Sequence, residues 1–319
     1  MMTIYLLFEA LRSGKISFNT KFKASKLAIC QSPTKLNLRI GEKILVIDII
    51  RALAIKSAND AAVVAAEGLC GSVSKFCELM NKKARQLGMK NTHFENPSGL
   101  PNKKQITTAH DILTLGLALI NNFPQYWYFF SEKSFTYNKI KHNTHCKILR
   151  WYNGAEGAKT GYTYASGFNL FVTAAKYNKS GGKKAVLVVV MGGDSAKRRD
   201  LFAAKLLSDH LKGYDLAVSK ASEKVSTEMK KQRKSLFAQV VTSDINEIIV
   251  HEEEEFAVEE LLKNSAVSRK YWDELYETDE EKDEAIKIEE EIFIKPHFAK
   301  KAKREVKKAP KKRKLRGTR

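Results

Sequence analysis

Apolar residues recur at helical spacing from the first positions of the chain. Ile4, Leu7 and Leu11 share one face with Phe8 beside them, so residues 1–12 predict a helix that stops near Ser13-Gly14-Lys15. Residues 18–24 and 44–47 predict short strands around a loop, and 46–56 returns to helical spacing. Residues 61–69 are alanine-rich and almost wholly apolar, the pattern of a buried helix. Residues 72–87 predict a longer amphipathic helix with Gly88 as its stop. Residues 91–105 are rich in Asn, Pro and Gly and predict a loop, after which Thr107 or Thr108 caps a helix running to about Asn121. The aromatic run from Tyr126 to Phe130 adjoins that helix without interleaved Arg or Lys, which favours core packing over a base-stacking platform.

The period then changes from that of a helix to that of a strand. Residues 157–163, 167–177 and 184–192 predict successive strands, with Ser180-Gly181-Gly182 as a hairpin turn and residues 195–211 as a closing helix. Helices first, then an antiparallel meander, then one covering helix is an α+β order, not an alternating βαβ one. Beyond Tyr214 glycine is absent until Gly317, and acidic and basic blocks replace the periodic pattern. Three regions follow: a domain over 1–214, a charged helical extension over 215–294 and a basic disordered tail over 295–319.

Charge sharpens this division. The net charge is +20, and 32 of the 56 basic residues but only 14 of the 36 acidic ones lie in residues 1–215, so the first domain carries most of the excess. Such a surface suits anionic surroundings: a membrane, a cell-wall polymer or nucleic acid. Four cysteines, Cys30, Cys70, Cys77 and Cys146, show no metal-site spacing even with His142 and His145 nearby, and are expected to be buried free thiols. Cys70 and Cys77 fall two turns apart in one predicted helical region. The opening has no basic region before its apolar run and no small-residue cleavage site, so no signal peptide is expected in it. No apolar run is long enough to span a membrane. The first helix begins apolar and uncapped, as the middle of a longer segment would.

Two short motifs offer chemistry. Ser57-Ala58-Asn59 lies between two helices, where a short loop can turn polar side chains outward. Lys159-Thr160-Gly161 opens the first strand of the meander, giving a cation, a hydroxyl and a glycine that lets another backbone approach the strand edge. Taken singly, Ser57 reads as a helix N-cap and Lys159 as an exposed strand end. Together, in this order and about a hundred residues apart, they resemble the second and third motifs of serine β-lactamases and penicillin-binding proteins.

The surroundings narrow the resemblance. KSANDAA at 56–62, NTHFENPSGLP at 91–101, TTAHD at 107–111, GAKTGYT at 157–163, SGFNL at 166–170 and MGGDSAKRR at 191–199 are similar to D-alanyl-D-alanine carboxypeptidases, the low-molecular-mass penicillin-binding proteins. The likeness covers roughly residues 1–213. It implies a β-lactamase/transpeptidase-like fold, here without its first strands, and removal of the terminal D-alanine from peptidoglycan stem peptides through an acyl-enzyme. It also implies β-lactam binding, a periplasmic or cell-envelope location, and no metal or organic cofactor. Residue by residue, it implies that Ser57 relays a proton toward the leaving D-alanine and that Asn59 hydrogen-bonds the substrate amide. Lys159 and Thr160 would hold the terminal carboxylate, and Gly161 would let the substrate backbone lie along the strand.

The chain departs from the family in one place. The Ser-x-x-Lys that supplies nucleophile and base would precede Met1 directly, and neither residue is in this sequence, which would place a chain beginning truly at Met1 in the cytoplasm. Ser32-Pro33-Thr34-Lys35 spells the motif, but the chemistry needs both side chains one helical turn apart, and the sequence after it reads as loop and strand. Two other readings stand beside the enzyme: a noncatalytic remnant of the family, and a chain whose basic tail binds an anionic membrane, with nucleic acid a weaker fit.

Overall fold

The structure, a computed structural model, describes residues 1–179 and 181–212. The expected extension over 215–294 and tail over 295–319 lie outside the described residues.

Helix α1 (Met2–Arg12) is the centre of a helical layer. Met2 through Phe8 are all buried, so the helix is enclosed on every side over its first two turns, where the sequence pattern pointed to a single face. Strands β1 (Lys21–Lys23) and β2 (Lys43–Leu45) pair antiparallel around a loop holding the one-turn helix α2 (Lys26–Ile29). Helix α3 (Val46–Arg51) starts where the expected strand 44–47 and helix 46–56 overlap. It widens into a π-type turn over Ala52–Lys56, and the chain then passes Ser57 at φ 56.

Helix α4 (Asn59–Cys70) packs its alanines and valines, Ala61 through Ala66, wholly inside. Helix α5 (Val73–Gln86) buries Phe76, Cys77, Met80 and Ala84 at three- and four-residue intervals, and the Ser72 hydroxyl caps it by accepting from the Lys75 N–H. Cys70 and Cys77 therefore sit on two helices separated by Gly71, not on one. Cys77 and Cys146 are buried as expected, whereas Cys30 is exposed because the end of α2 faces outward. Helix α6 (Ala109–Asn122) is capped by Thr108, whose hydroxyl accepts from the Asp111 N–H. The 3-10 stretch Pro124–Phe130 then folds its rings inward: Phe8 lies 5.6, 5.0 and 6.0 Å from the ring centres of Phe123, Tyr126 and Phe129.

A hairpin of β3 (Ser134–Tyr137) and β4 (Ile140–Asn143) follows, turning through Asn138 and Lys139 at φ 46 and 67. The sequence pattern did not show it, because the turn carries no glycine and the strands are short. After the single turn α7 (Ile148–Trp151) come β5 (Ala155–Thr163), β6 (Gly167–Tyr177) and β7 (Lys183–Gly193), an antiparallel sheet in the order β5-β6-β7. Helix α8 (Ala196–His210) closes one face.

Alternation along the strands sorts the two layers. Leu170, Val172, Val188 and Val190 pack with Ala203, Ala204 and Leu207 of α8, while Phe171, Leu187 and Val189 face the helical layer. Gly116 of α6 is where the layers touch. A Cβ there would sit 1.9 Å from the buried Phe171 ring, which Trp127 holds edge-on at 5.9 Å.

Helix propensity favours Gly116→Ala by about 1 kcal/mol. The contact with Phe171 predicts the opposite sign, a loss of about 1–3 kcal/mol from overpacking. Urea unfolding of the two proteins decides it; a stabilised Gly116→Ala would mean that α6 does not pack on β6 as described.

Candidate functional site

The helical layer and the sheet meet at Ser57. The π-type turn delivers Ser57 in the left-handed region, with the Ala58 N–H returning 3.0 Å to the Ala52 carbonyl. Such a conformation is unfavourable for a residue with a Cβ and marks a constrained position. Ser57 is not the N-cap of α4: that position is Ala58, which has no capping side chain. From the sheet, Lys159 reaches across and donates its ammonium to the Ser57 hydroxyl oxygen, and to the Thr160 carbonyl at 2.6 Å. Ser57 and Lys159, 102 residues apart, are thus in contact.

Thr160 and Gly161 follow on β5, opposite Leu170 and Asn169 of β6. Among the described residues no strand lies on the other edge of β5. A Cβ at Gly161 would meet only the Asn169 Cβ, at 3.9 Å, so glycine here keeps an edge open and is not filling a crowded place. Asn59 is buried, and its amide Nδ2 donates to the Ser32 carbonyl at 2.9 Å, which ties it to the neighbouring loop.

The Ser32–Lys35 tetrad is not helical, and the Lys35 ammonium donates to the Ile29 carbonyl at 3.2 Å, as the rejection of this spelling requires. Among the described residues no group of three metal-binding side chains occurs.

The electrostatics are those of a desolvated cationic cleft. Burial holds the Lys159 ammonium below its ordinary pKa, with Arg199 pushing the same way and Cys146 opposing. Arg199 is buried in the first turn of α8. Its Nε and Nη2 lie 2.8 and 2.7 Å from Asp200 Oδ1, and its Nη1 donates to the Asn169 carbonyl at 3.3 Å. No role had been assigned to Arg199 from sequence. The available signal was an Arg in the first turn of a helix, where the backbone dipole disfavours a cation.

The Met1 amine lies at the start of α1. It is desolvated and feels Lys159, and the two effects, burial first, lower it from 8.0 to about 5.

With this geometry in hand, the comparisons place the chain. The sequence profile of the D-alanyl-D-alanine carboxypeptidase family, peptidase S11, matches residues 1–195, and the chain belongs to that family. It is similar to the D-alanyl-D-alanine carboxypeptidase DacA of Haemophilus influenzae, 35% identical over 212 residues, which are 65% of this chain and 53% of the relative. The chain thus spans about half the length of this curated relative. The crystal structure of the carboxypeptidase DacD from Francisella tularensis superposes with a TM-score of 0.61 at 28% identity, covering 66% of this chain and 62% of that one. Penicillin-binding protein D2 from Listeria monocytogenes, solved with ampicillin bound, gives 0.56 at 28% identity, covering 65% and 82%. The α+β, transpeptidase-like fold is the family's.

The Met1 amine yields a pH test. A polypeptide prepared with a free amine at Met1 keeps that amine neutral when folded down to about pH 5, whereas the unfolded chain protonates it below about pH 8. The unfolded state binds more protons in this window, so stability rises as pH goes from 5 to 8, by up to about tenfold in the unfolding constant per pH unit. Urea unfolding of free and Nα-acetylated chains should differ by this slope, while histidine contributions cancel. Parallel profiles would mean that the Met1 nitrogen is solvated.

Proposed function

We propose that the chain is the substrate-recognition and proton-relay part of a serine-type D-alanyl-D-alanine carboxypeptidase of peptidoglycan remodelling in the cell envelope. The observation that carries this reading is the Lys159–Ser57 contact beside the start of α1, in a chain of this family. Lys159 and Thr160 anchor the terminal carboxylate of a stem peptide, which selects a chain end and explains carboxypeptidase action. The substrate backbone lies along the open edge of β5 as an added strand, with Gly161 allowing close approach. A serine and lysine immediately before α1 enter the cleft at Lys159. The serine oxygen adds to the penultimate carbonyl carbon and its proton passes to that lysine. Ser57 then relays a proton to the departing D-alanine nitrogen, and water hydrolyses the acyl ester. Asn59, buried and bonded to the Ser32 carbonyl, holds the turn. The fold neighbour solved with ampicillin bound supports β-lactams as ligands.

A second reading is a noncatalytic remnant of the family, since this polypeptide carries no Ser-x-x-Lys at the start of α1. Among the described residues no helix is long and apolar enough to cross a membrane.

The polypeptide 1–319 is expected to release no D-alanine steadily from a diacetylated tripeptide. Release that Ser32→Ala abolishes would return Ser32 to the mechanism.

A chain extended upstream to restore Pro-Ala-Ser-x-x-Lys is expected to label covalently with fluorescent penicillin. Lys159→Ala should slow that labelling about tenfold to a hundredfold, the worth of one charge-assisted contact to a carboxylate. Lys159→Arg should lose part of the rate, since it keeps the charge but not the compact ammonium. Equal rates for wild type and Lys159→Ala would remove Lys159 as the carboxylate anchor.

A further inference from the structure

The stretch that spells the rejected motif lies against the Ser57 turn. The Thr34 hydroxyl is 2.9 Å from the carbonyl oxygen of Lys56 and 3.1 Å from that of Ser57, and its single proton is shared between them. Those carbonyls belong to the two peptide planes that flank the Ser57 Cα. The φ and ψ of a residue are the rotations that relate these rigid planes, so one hydroxyl restrains both.

The rest of the segment anchors that hydroxyl. The Thr34 carbonyl accepts the Asn59 N–H at 2.7 Å, and the Ser32 carbonyl accepts the Asn59 amide at 2.9 Å. The fully buried Asp60 carboxylate accepts the N–H groups of Leu36 and Leu38 at 3.0 and 3.3 Å, and that of Ala61 at 2.8 Å. Charge-assisted bonds in a dry place are strong. Segment 32–38 is therefore fastened on both sides of Thr34 to the turn that Thr34 restrains.

We infer that Thr34 is a positioning residue: it holds Ser57 in the left-handed conformation from which the hydroxyl meets Lys159. Valine at 34 keeps the branched shape but removes the donor, and serine keeps the donor. The inference rests on the Ser57–Lys159 pair being the working part of the proposed function. Its test reads backbone conformation instead of turnover, so the penicillin experiment and this one can fail separately.

The test is a set of double-mutant cycles by urea unfolding of the 319-residue chain. Glycine adopts positive φ without strain, so Ser57→Gly removes the need for a restraint, whereas Ser57→Ala removes the hydroxyl and keeps the need. Thr34→Val should raise the unfolding constant about tenfold in the wild-type and Ser57→Ala backgrounds, and about threefold or less in the Ser57→Gly background. Thr34→Ser should stay within about twofold of wild type. If Thr34→Val does not fold alone, folding of Thr34→Val/Ser57→Gly supports the inference, and failure of both overturns it. A Thr34→Val effect that is the same within about twofold in all three backgrounds also overturns it, because an ordinary structural hydrogen bond would be indifferent to the side chain at 57. So does a Thr34→Ser variant as impaired as Thr34→Val.

Discussion

The left-handed turn at Ser57 is the constraint on which the rest of the site depends. It ends the π-type widening of α3 and starts α4, so it sits where two buried helices change direction. A helix that continued regularly through this point would carry the hydroxyl round with the backbone. The strained turn instead points it out of the helical layer to the Lys159 ammonium of the sheet layer. Strain of this kind persists only where the surroundings over-determine it. Here they do: the turn is gripped from one side by segment 32–38 and from below by the alanine-packed α4.

The second requirement is that the two layers keep their distance and register. Lys159 can reach Ser57 only if β5 lies at a set height above the helices. That height is set by close contacts that small residues permit: Gly116 against Phe171, and Gly157 against Trp127, where a Cβ would lie 2.5 Å from the indole. The aromatic cluster around Phe8 packs beneath, and Trp127 of the 3-10 stretch meets Phe171 of the sheet edge-on.

The third is charge. Lys159 and Arg199 share a region of low polarity, and Asp200 neutralises Arg199 through two guanidinium nitrogens. Among the described residues, the Lys159 ammonium bonds to neutral oxygens, those of Ser57 and Thr160. Burial disfavours its charged form, a cost that an opposite charge beside it would offset.

Local pattern was sufficient for the elements and for the family. The alanine run of α4, the capped starts of α5 and α6, and the continuous apolar run over 186–190 of β7 each follow from side chains a few positions apart. The six motif runs that mark a carboxypeptidase are likewise local. Other features needed distant parts of the chain. The β3–β4 hairpin turns through Asn138 and Lys139 at positive φ with no glycine to announce it. The burial of α1 on every side comes from layers supplied by residues beyond position 60. Ser57 looked like a helix cap because its left-handed geometry is imposed by Thr34 and the π-type turn, and no local propensity encodes that. Arg199 pairs with its own sequence neighbour Asp200, but its bond to the Asn169 carbonyl of β6 and its closeness to Lys159 arise only when α8 closes over the sheet. Sequence determines which side chains are present and which segments bury them; contacts across a hundred residues decide which of them meet, because closing those loops is a property of the whole packed core.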